Sequence, residues 1–310
     1  MDNYIGGYAN VGEWSLLPSE SNYGPSWGVA GGVGFLYEMQ AGPTYSSTRF
    51  LLDVGVGAQG GMTAFKQKKT SYVELLNQKD LDGMTFDYMY EVMNRKDQYN
   101  DLAVQIPLMI GVQHKKFYMM AGVKAGMHVL TKAHTTATIN TYGRYSEFAE
   151  FRNMPEYQFF NDYALKGTSN AKLNFSLDLS AEIGGRLGLV TDAVGFDVPK
   201  RKIEYRLAGF FDYGLLDIHT APQPGTLVQD FTTPSVYNAI EAYNKKTMVN
   251  DLKVNDIMST TGFASKVNNL VIGLKFTILF QLPEKLPCTI CRDAYGLRPI
   301  PRSGRLKYDE

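Results

Sequence analysis

The chain has 310 residues, of which 44% are hydrophobic and 13% aromatic, and its 31 basic side chains are balanced by 31 acidic ones. This composition supplies enough apolar surface for an ordered fold and excludes global disorder. The charge balance excludes a general basic field, so we expect no nucleic-acid partner.

Signals for membrane insertion and export are absent from the sequence as given. No run approaches the 18 or more apolar residues of a membrane helix, so a membrane-spanning form of this chain would be a β-barrel. The first residues, MDNYIGGYANVGEW, lack the basic and apolar regions of a signal peptide. We expect either a mature exported chain whose signal peptide was removed, or a cytosolic chain.

Eight segments show the two-residue period of β-strands. In chain order they cover residues 3–17, 27–40, 49–62, 101–112, 117–132, 171–189, 202–218 and 267–282. Pro107 removes a hydrogen-bond donor from the fourth segment, which predicts a local irregularity. The last segment, VNNLVIGLKFTILFQL, places seven apolar side chains from Leu270 to Leu282 on one face. At about 3.3 Å per residue this stripe is roughly 40 Å long, which suits a bilayer.

The connections between these segments alternate in length. Short connections lie at 41–48, 113–116 and 190–201, and longer ones at 18–26, 66–100, 143–170 and 220–266. This asymmetry is typical of up-and-down outer-membrane barrels, which have periplasmic turns and long outer loops. We predict an eight-stranded antiparallel up-and-down transmembrane β-barrel with long extracellular loops at residues 1–283. Residues 284–310 would form a periplasmic tail or linker.

The polar face of each strand is the expected lining of the barrel. Alternation alone fits a soluble sandwich or a lipocalin-like barrel equally well. The polar face is rich in glycine, as a narrow lumen requires, and aromatic residues near strand ends fit interfacial girdles. We predict a polar network of both charge signs in the lumen, formed by Glu38, Asp53, Lys124, His128, Asp178, Glu182, Arg186, Glu204, Arg206, Asp212 and Lys275.

One pair of segments resembles a known family. LAVQIPLMIG at 102–111, followed by an HKK turn and FYMMAGVKAG, is similar to the fourth and fifth strands of the PorT-like outer-membrane β-barrels of Bacteroidetes. The glycine-rich second and third segments and the last segment agree, so the resemblance covers residues 3–283. It implies a barrel in the outer membrane of a Gram-negative bacterium. It brings no catalytic residues and no cofactor.

An open pore is not favoured by the charge pattern. The lumen of an eight-stranded barrel is just wide enough for side chains to fill. Glu182 and Arg186 on the sixth segment would lie beside Glu204 and Arg206 on the seventh. These opposite charges favour a salt-bridged plug over a channel.

Catalytic and metal chemistry have weak candidates. His134, Asp217 and His219 are expected at the outer rim, where a histidine near a carboxylate could act as a general base. No further group completes a set, so we predict no enzyme activity, no cofactor and no metal. Cys288 and Cys291 form a lone CTIC, which fits a local disulfide or inert pair, a contact with a partner, or redox or metal chemistry.

The long connections are unusually aromatic. Exposed aromatic side chains are costly unless they pack on one another or on a partner, so these segments form either a cap on the barrel mouth or a docking surface. The candidate contact residues are Tyr88, Tyr90, Tyr145, Phe148, Tyr157, Phe159, Phe160, Tyr237 and Tyr243. Thr233 and Pro234 predict the start of a helix in the last connection.

Together these features predict a non-enzymatic accessory or scaffold subunit of a larger outer-membrane complex, for secretion, barrel assembly or uptake. Its expected partners are outer-membrane lipid and other outer-membrane or periplasmic proteins. The alternatives are a standalone surface barrel that binds a glycan or protein through its aromatic loops, a small pore, and a rim enzyme.

Overall fold

The structure, a computed structural model, describes residues 2–19, 23–42, 47–68, 71–79, 84–146, 150–154, 159–171, 173–191, 197–199, 203–218, 228–229, 253–254, 256–259 and 266–283. Within these ranges it is almost entirely antiparallel β-sheet, with one 3-10 turn at Ile257–Ser259. No helix in the described ranges has the length and hydropathy needed to cross a bilayer. The predicted helix start at Thr233, the tail at 284–310 and both cysteines lie outside the described residues.

The strands, in chain order, are β1 Asp2–Ser19, β2 Trp27–Ala41, β3 Thr48–Lys66, β4 Ser71–Lys79, β5 Thr85–His114, β6 Phe117–Arg144, β7 Tyr163–Asn170, β8 Ser176–Leu187, β9 Leu189–Thr191, β10 Asp197–Pro199, β11 Ile203–Gly214, β12 Val228–Gln229, β13 Lys253–Val254 and β14 Lys266–Gln281. Eight of them pair in the order β1-β2-β3-β5-β6-β8-β11-β14. The ring closes because β14 pairs with β1 from Tyr4↔Gln281 to Ser19↔Lys266. The eight predicted segments supply these strands, which confirms the antiparallel eight-stranded ring.

The two ends of the ring differ. At the short-turn end lie the β2–β3, β5–β6 and β8–β11 connections, the first residues of β1 and the last residues of β14. The other end, here called the mouth, carries the connections β1–β2, β3–β5, β6–β8 and β11–β14. Successive connections of the ring therefore alternate between two ends. The chain between β8 and β11, residues 188–202, is nevertheless longer than that between β1 and β2, residues 20–26.

Two predicted loops instead contain long β-structure. β5 and β6 extend past the ring and pair from Asp87↔Arg144 to Met93↔Thr138, with β4 and β7 on their outer edges. We call this four-stranded sheet the platform. Its tyrosine-, valine- and threonine-rich segments favour strands, but they lack the clean two-residue alternation that predicts the ring strands. A register shift between Met93 and Lys96 separates platform from ring.

Pro107 lies within β5 and disturbs pairing on one side only. The ladder to β6 is continuous there, with Pro107 opposite Lys124. On the β3 side, paired positions stop at Val54↔Leu108 and resume at Gly57↔Gln105 without a change of register. The missing N–H of proline explains an interruption of this kind.

The apolar faces of the ring strands point outward and form a continuous belt. Its exposed members include Val33, Phe35, Phe50, Val54, Val56, Met62, Leu102, Ile106, Ile110, Phe117, Met119, Ile183, Leu207, Phe211, Leu274 and Phe276. The charged faces point inward. Monomeric soluble proteins rarely expose a contiguous apolar patch larger than a few hundred Å², so a continuous belt around the ring is unusual for them.

Glycines on the inward face make room for Tyr8. A β-carbon on Gly34 would lie 2.5 Å from the Tyr8 ring, and one on Gly57 would contact the Tyr8 hydroxyl. The ring in turn carries the Lys275 ammonium 4.9 Å above its centroid. The two glycines therefore position a contact that depends on a close approach between strands.

We expect Gly57→Val to destabilise the protein by about 1–3 kcal/mol, because the added methyl groups displace Tyr8 from a filled interior. The measurement is the free energy of unfolding in urea, with refolding into detergent micelles. Ala58→Val is the matched control, since Ala58 is the exposed neighbour on the outer face. Equal stability of the two variants would contradict the close packing of Tyr8.

Candidate functional site

The structure places all eleven residues of the predicted lumen network inside the ring. Ten are at most 9% exposed, and the side chain of His128 is 5% exposed. Each lies on the inward face of a ring strand because charged residues alternate with the apolar residues of the belt. Buried charges are tolerated when they are paired and hydrogen-bonded, so their partners decide what the interior can do.

Arg206 connects opposite walls near the short-turn end. Its Nη1 and Nη2 donate to the two carboxylate oxygens of Glu38 at 2.5 and 2.6 Å, and its Nε donates to Glu204 at 2.6 Å. Glu38 lies on β2 and Arg206 on β11, with β14 and β1 between them in the ring. Arg186 donates to the other oxygen of Glu204 at 2.6 Å. The bonds from Arg206 to Glu38 cross the lumen, whereas those to Glu204 hold the network against the β8 and β11 wall.

Two more pairs lie further toward the mouth. Lys275 on β14 donates to Glu182 on β8 at 2.7 Å, and the Tyr118 hydroxyl donates to the second oxygen of Glu182 at 2.5 Å. Lys124 on β6 donates to Asp212 on β11 at 2.7 Å. Each ion pair skips one strand, so the side chains bridge across the interior instead of lying along the wall.

A histidine–aspartate pair lies at the next level of the interior toward the mouth. His128 Nδ1 lies 2.7 Å from Asp101, whose other oxygen accepts a 2.6 Å bond from Thr131. Nearby, Trp14 Nε1 donates to Asn269 at 2.7 Å. Asp101 and Tyr118 were not predicted, although Asp101 has the parity of the buried Ala103 and Gln105 on β5 and Tyr118 that of Lys124 on β6.

The interior has more carboxylates than cations. Among the predicted network residues, Asp53 and Asp178 form no salt bridge to any described residue, whereas the other four carboxylates do. Asp53 lies directly opposite Glu38 in the β2–β3 register, and Asp178 lies opposite Lys124. Removing a cation from this interior would therefore leave carboxylates with little compensation.

Residues 256–258 are buried in the mouth. All three are fully buried, and the Tyr99 hydroxyl donates to the Asp256 carboxylate at 3.0 Å. The Ile257 N–H donates to Asp97 at 3.1 Å. Around them lies an apolar cluster that includes Trp14, Leu16, Tyr23, Phe65, Ile218 and Val267. No local sequence pattern predicts this contact, because it joins segments more than 150 residues apart.

Burial dominates the acid–base properties of the mouth, which lies above the belt. Burial raises the pKa of the Asp97 carboxyl, although Arg95, 2.9 Å away, acts to lower it. Burial also raises the pKa of the Tyr99 hydroxyl, and the neighbouring Asp256 adds to the effect. Tyr99 therefore stays protonated and acts as a hydrogen-bond donor.

The platform has an aromatic core of its own. Tyr88, Tyr90 and Phe159 are buried, with ring centroids 4.8 Å apart for Tyr88 and Tyr90 and 5.5 Å apart for Tyr88 and Phe159. Tyr145 stacks on Phe86 at 5.1 Å. Three of the predicted contact residues thus hold the platform together in this structure.

The remaining predicted contact residues divide into two groups. Tyr145 and Phe160 are partly exposed on the platform, and Phe160 packs on Tyr163 with centroids 5.3 Å apart. The others, Phe148, Tyr157, Tyr237 and Tyr243, lie outside the described residues. Of the five described candidates, Tyr145 and Phe160 are thus the two with surface accessible to a partner.

The rim residues considered for catalysis have structural contacts. His134 Nδ1 lies 3.1 Å from the Thr168 hydroxyl on the exposed outer face, and Asp217 accepts the Val267 N–H at 2.9 Å. His219 lies outside the described residues. Within the described part of the chain, no three His, Cys, Asp or Glu side chains come together as a metal site.

Comparison of the chain with protein-family models, with curated proteins and with solved structures gives no match in any of the three. The likeness to PorT-like barrels therefore rests on the strand motifs alone.

We expect Lys275→Met to destabilise the protein by about 3–5 kcal/mol, because it leaves Glu182 buried without its cation. Adding Glu182→Gln should recover much of this loss, since the uncompensated charge is then removed. Urea unfolding of the single and double variants measures both values. A double variant no more stable than Lys275→Met would contradict the pairing.

Tyr99→Phe should cost about 1–3 kcal/mol, because Asp256 loses a buried hydrogen-bond donor while the packing of the ring is kept. Tyr37→Phe is the control, since Tyr37 is exposed on the belt. The free energy of unfolding in urea is measured for both variants. Equal values would contradict a stabilising hydrogen bond between Tyr99 and Asp256.

Proposed function

We propose that this chain is a non-enzymatic barrel of the Gram-negative outer membrane, similar to the PorT-like group, that acts as an accessory or scaffold subunit of a larger membrane complex. The short-turn end would face the periplasm, and the platform would stand on the outer side. Its partners would be outer-membrane lipid and other envelope proteins.

The dimensions of the belt support the membrane location. On β3 the exposed apolar residues run from Phe50 to Met62, about 40 Å along the strand. At the usual tilt of about 40° this corresponds to roughly 30 Å along the membrane normal, close to the thickness of the hydrocarbon core. Water-exposed surfaces of this kind would promote association.

The interior supports a closed barrel. The bonds of Arg206, Lys275 and Lys124 cross the lumen at successive levels, and residues 256–258 are buried in the mouth. A passage for solutes would require several buried ion pairs to separate. A role through contact is therefore favoured over transport.

The platform is the observation on which the scaffold role rests. Its strands continue directly from the ring, and the platform part of β5, from Thr85 to Met93, is about 26 Å long. An aromatic core stiffens it. A sheet that is built on a membrane anchor and stands clear of the bilayer suits the positioning of another protein.

The test is extraction of tagged protein from its native envelope in mild detergent, followed by native mass measurement and identification of bound proteins. We expect stoichiometric envelope proteins, and we expect Tyr145→Ser with Phe160→Ser to reduce their recovery. His114→Ser with Lys116→Ser at the short-turn end is the control pair. Recovery as a monomer of 34.6 kDa, the mass of the chain alone, would contradict the subunit role and favour a standalone binding barrel.

A further inference from the structure

A patch of lysines covers the outer face of the sheet above the belt, at the base of the platform. Three of them lie in one row across neighbouring strands, where Lys66 is opposite Lys96, Lys96 is opposite Thr136, and Thr136 is opposite Lys166. All three lysines are exposed. With strands about 4.8 Å apart, the row spans roughly 14 Å.

Lys66 and Lys96 form an unfavourable pair. Side chains directly opposite each other on antiparallel strands have β-carbons about 5 Å apart, and like charges there are destabilising. Neither lysine has an ion-pair partner among the described residues. An anion bound between them would remove this repulsion.

The rows nearer the belt supply further donors and no acid. Lys132 is exposed on the same face, opposite Asn100 on β5 and Asn170 on β7. His134 and Thr168 lie between the two lysine rows and contact each other. Every described side chain on the outer face of these rows is thus neutral or basic, which favours a ligand with several negative charges.

The height of the patch indicates what kind of anion it fits. Lys96 lies six residues beyond Leu102, the last exposed apolar residue of the belt on β5. This is about 20 Å along the strand and roughly 15 Å along the membrane normal at the usual tilt. The headgroup layer of a phospholipid bilayer extends only about 5–7 Å beyond the hydrocarbon. The upper lysine row therefore lies above phospholipid phosphates.

We propose that the patch of Lys66, Lys96, Lys132 and Lys166 binds a phosphorylated glycolipid, whose saccharide carries phosphate groups above the bilayer. Lys132 is low enough to meet phosphate near the membrane surface, and the upper row meets phosphate on the saccharide. This inference depends on the proposed outer-membrane location. It specifies which kind of outer-membrane lipid would contact the base of the platform.

The test measures binding of rough-type lipopolysaccharide, with a phosphorylated inner core, to the full-length protein in neutral detergent. We expect saturable binding that weakens with salt, and at least a tenfold higher Kd for the triple variant Lys66→Gln, Lys96→Gln, Lys166→Gln. The control is Lys115→Gln with Lys116→Gln, two exposed lysines at the short-turn end, for which the Kd should change less than twofold. Circular dichroism of each variant establishes that it is folded.

Three results would overturn the proposal. They are unchanged binding by the triple variant, equal binding of the lipopolysaccharide after its phosphates are removed, and equally tight lysine-dependent binding of phosphatidylglycerol vesicles. The last would indicate an ordinary phospholipid. Insertion into phosphatidylcholine vesicles is measured separately, because failure to insert would refute the membrane location, whereas insertion without lipopolysaccharide binding would refute only this inference.

Discussion

Charge that is enclosed by a wall of apolar side chains must find its partners inside, and this requirement governs the structure. Arg206, Lys275 and Lys124 each reach across the ring to a carboxylate at 2.5–2.7 Å. The contacts hold distant strands together, because each connects positions that backbone pairing does not join. Because these charged groups are paired inside the ring, the outer face of the belt can be apolar and no unpaired charge has to point outward.

The same arrangement separates the tasks of different parts of the molecule. The belt and the interior form one unit, in which buried ion pairs connect the ring strands and leave little freedom for the sequence to change. The segments beyond the ring, where β5 and β6 continue as the platform, are free of these constraints and can therefore change the surface that contacts a partner. The register shift between Met93 and Lys96, with Asn94 at a φ of 52°, lies at the boundary between these two parts.

Strands and interior residues could be predicted from the sequence where the two-residue alternation of apolar and polar side chains is clear. The ring strands were predicted because belt residues such as Leu274 and Phe276 alternate with small or charged residues such as Lys275. The same parity placed the lumen residues on one face. β4, β7 and the outer parts of β5 and β6 were missed because Tyr88, Met89 and Tyr90 are all buried in succession, which removes the alternation. The burial of residues 256–258 could not be predicted from local sequence, since it depends on hydrogen bonds to Asp97 and Tyr99, which lie far away in the chain.

Closure of the ring by its first and last strands has a consequence for how the protein is made. β1 pairs with β14 along sixteen positions, and those partners are separated by nearly the whole chain. Until β14 has been synthesised, β1 keeps an open edge of unpaired N–H and C=O groups that can recruit other strands. Contacts between such distant segments form slowly. The nascent chain would therefore depend on protection of its N-terminal strand, and a chain cut short before residue 266 would lose the barrel as a whole and not only its final strand.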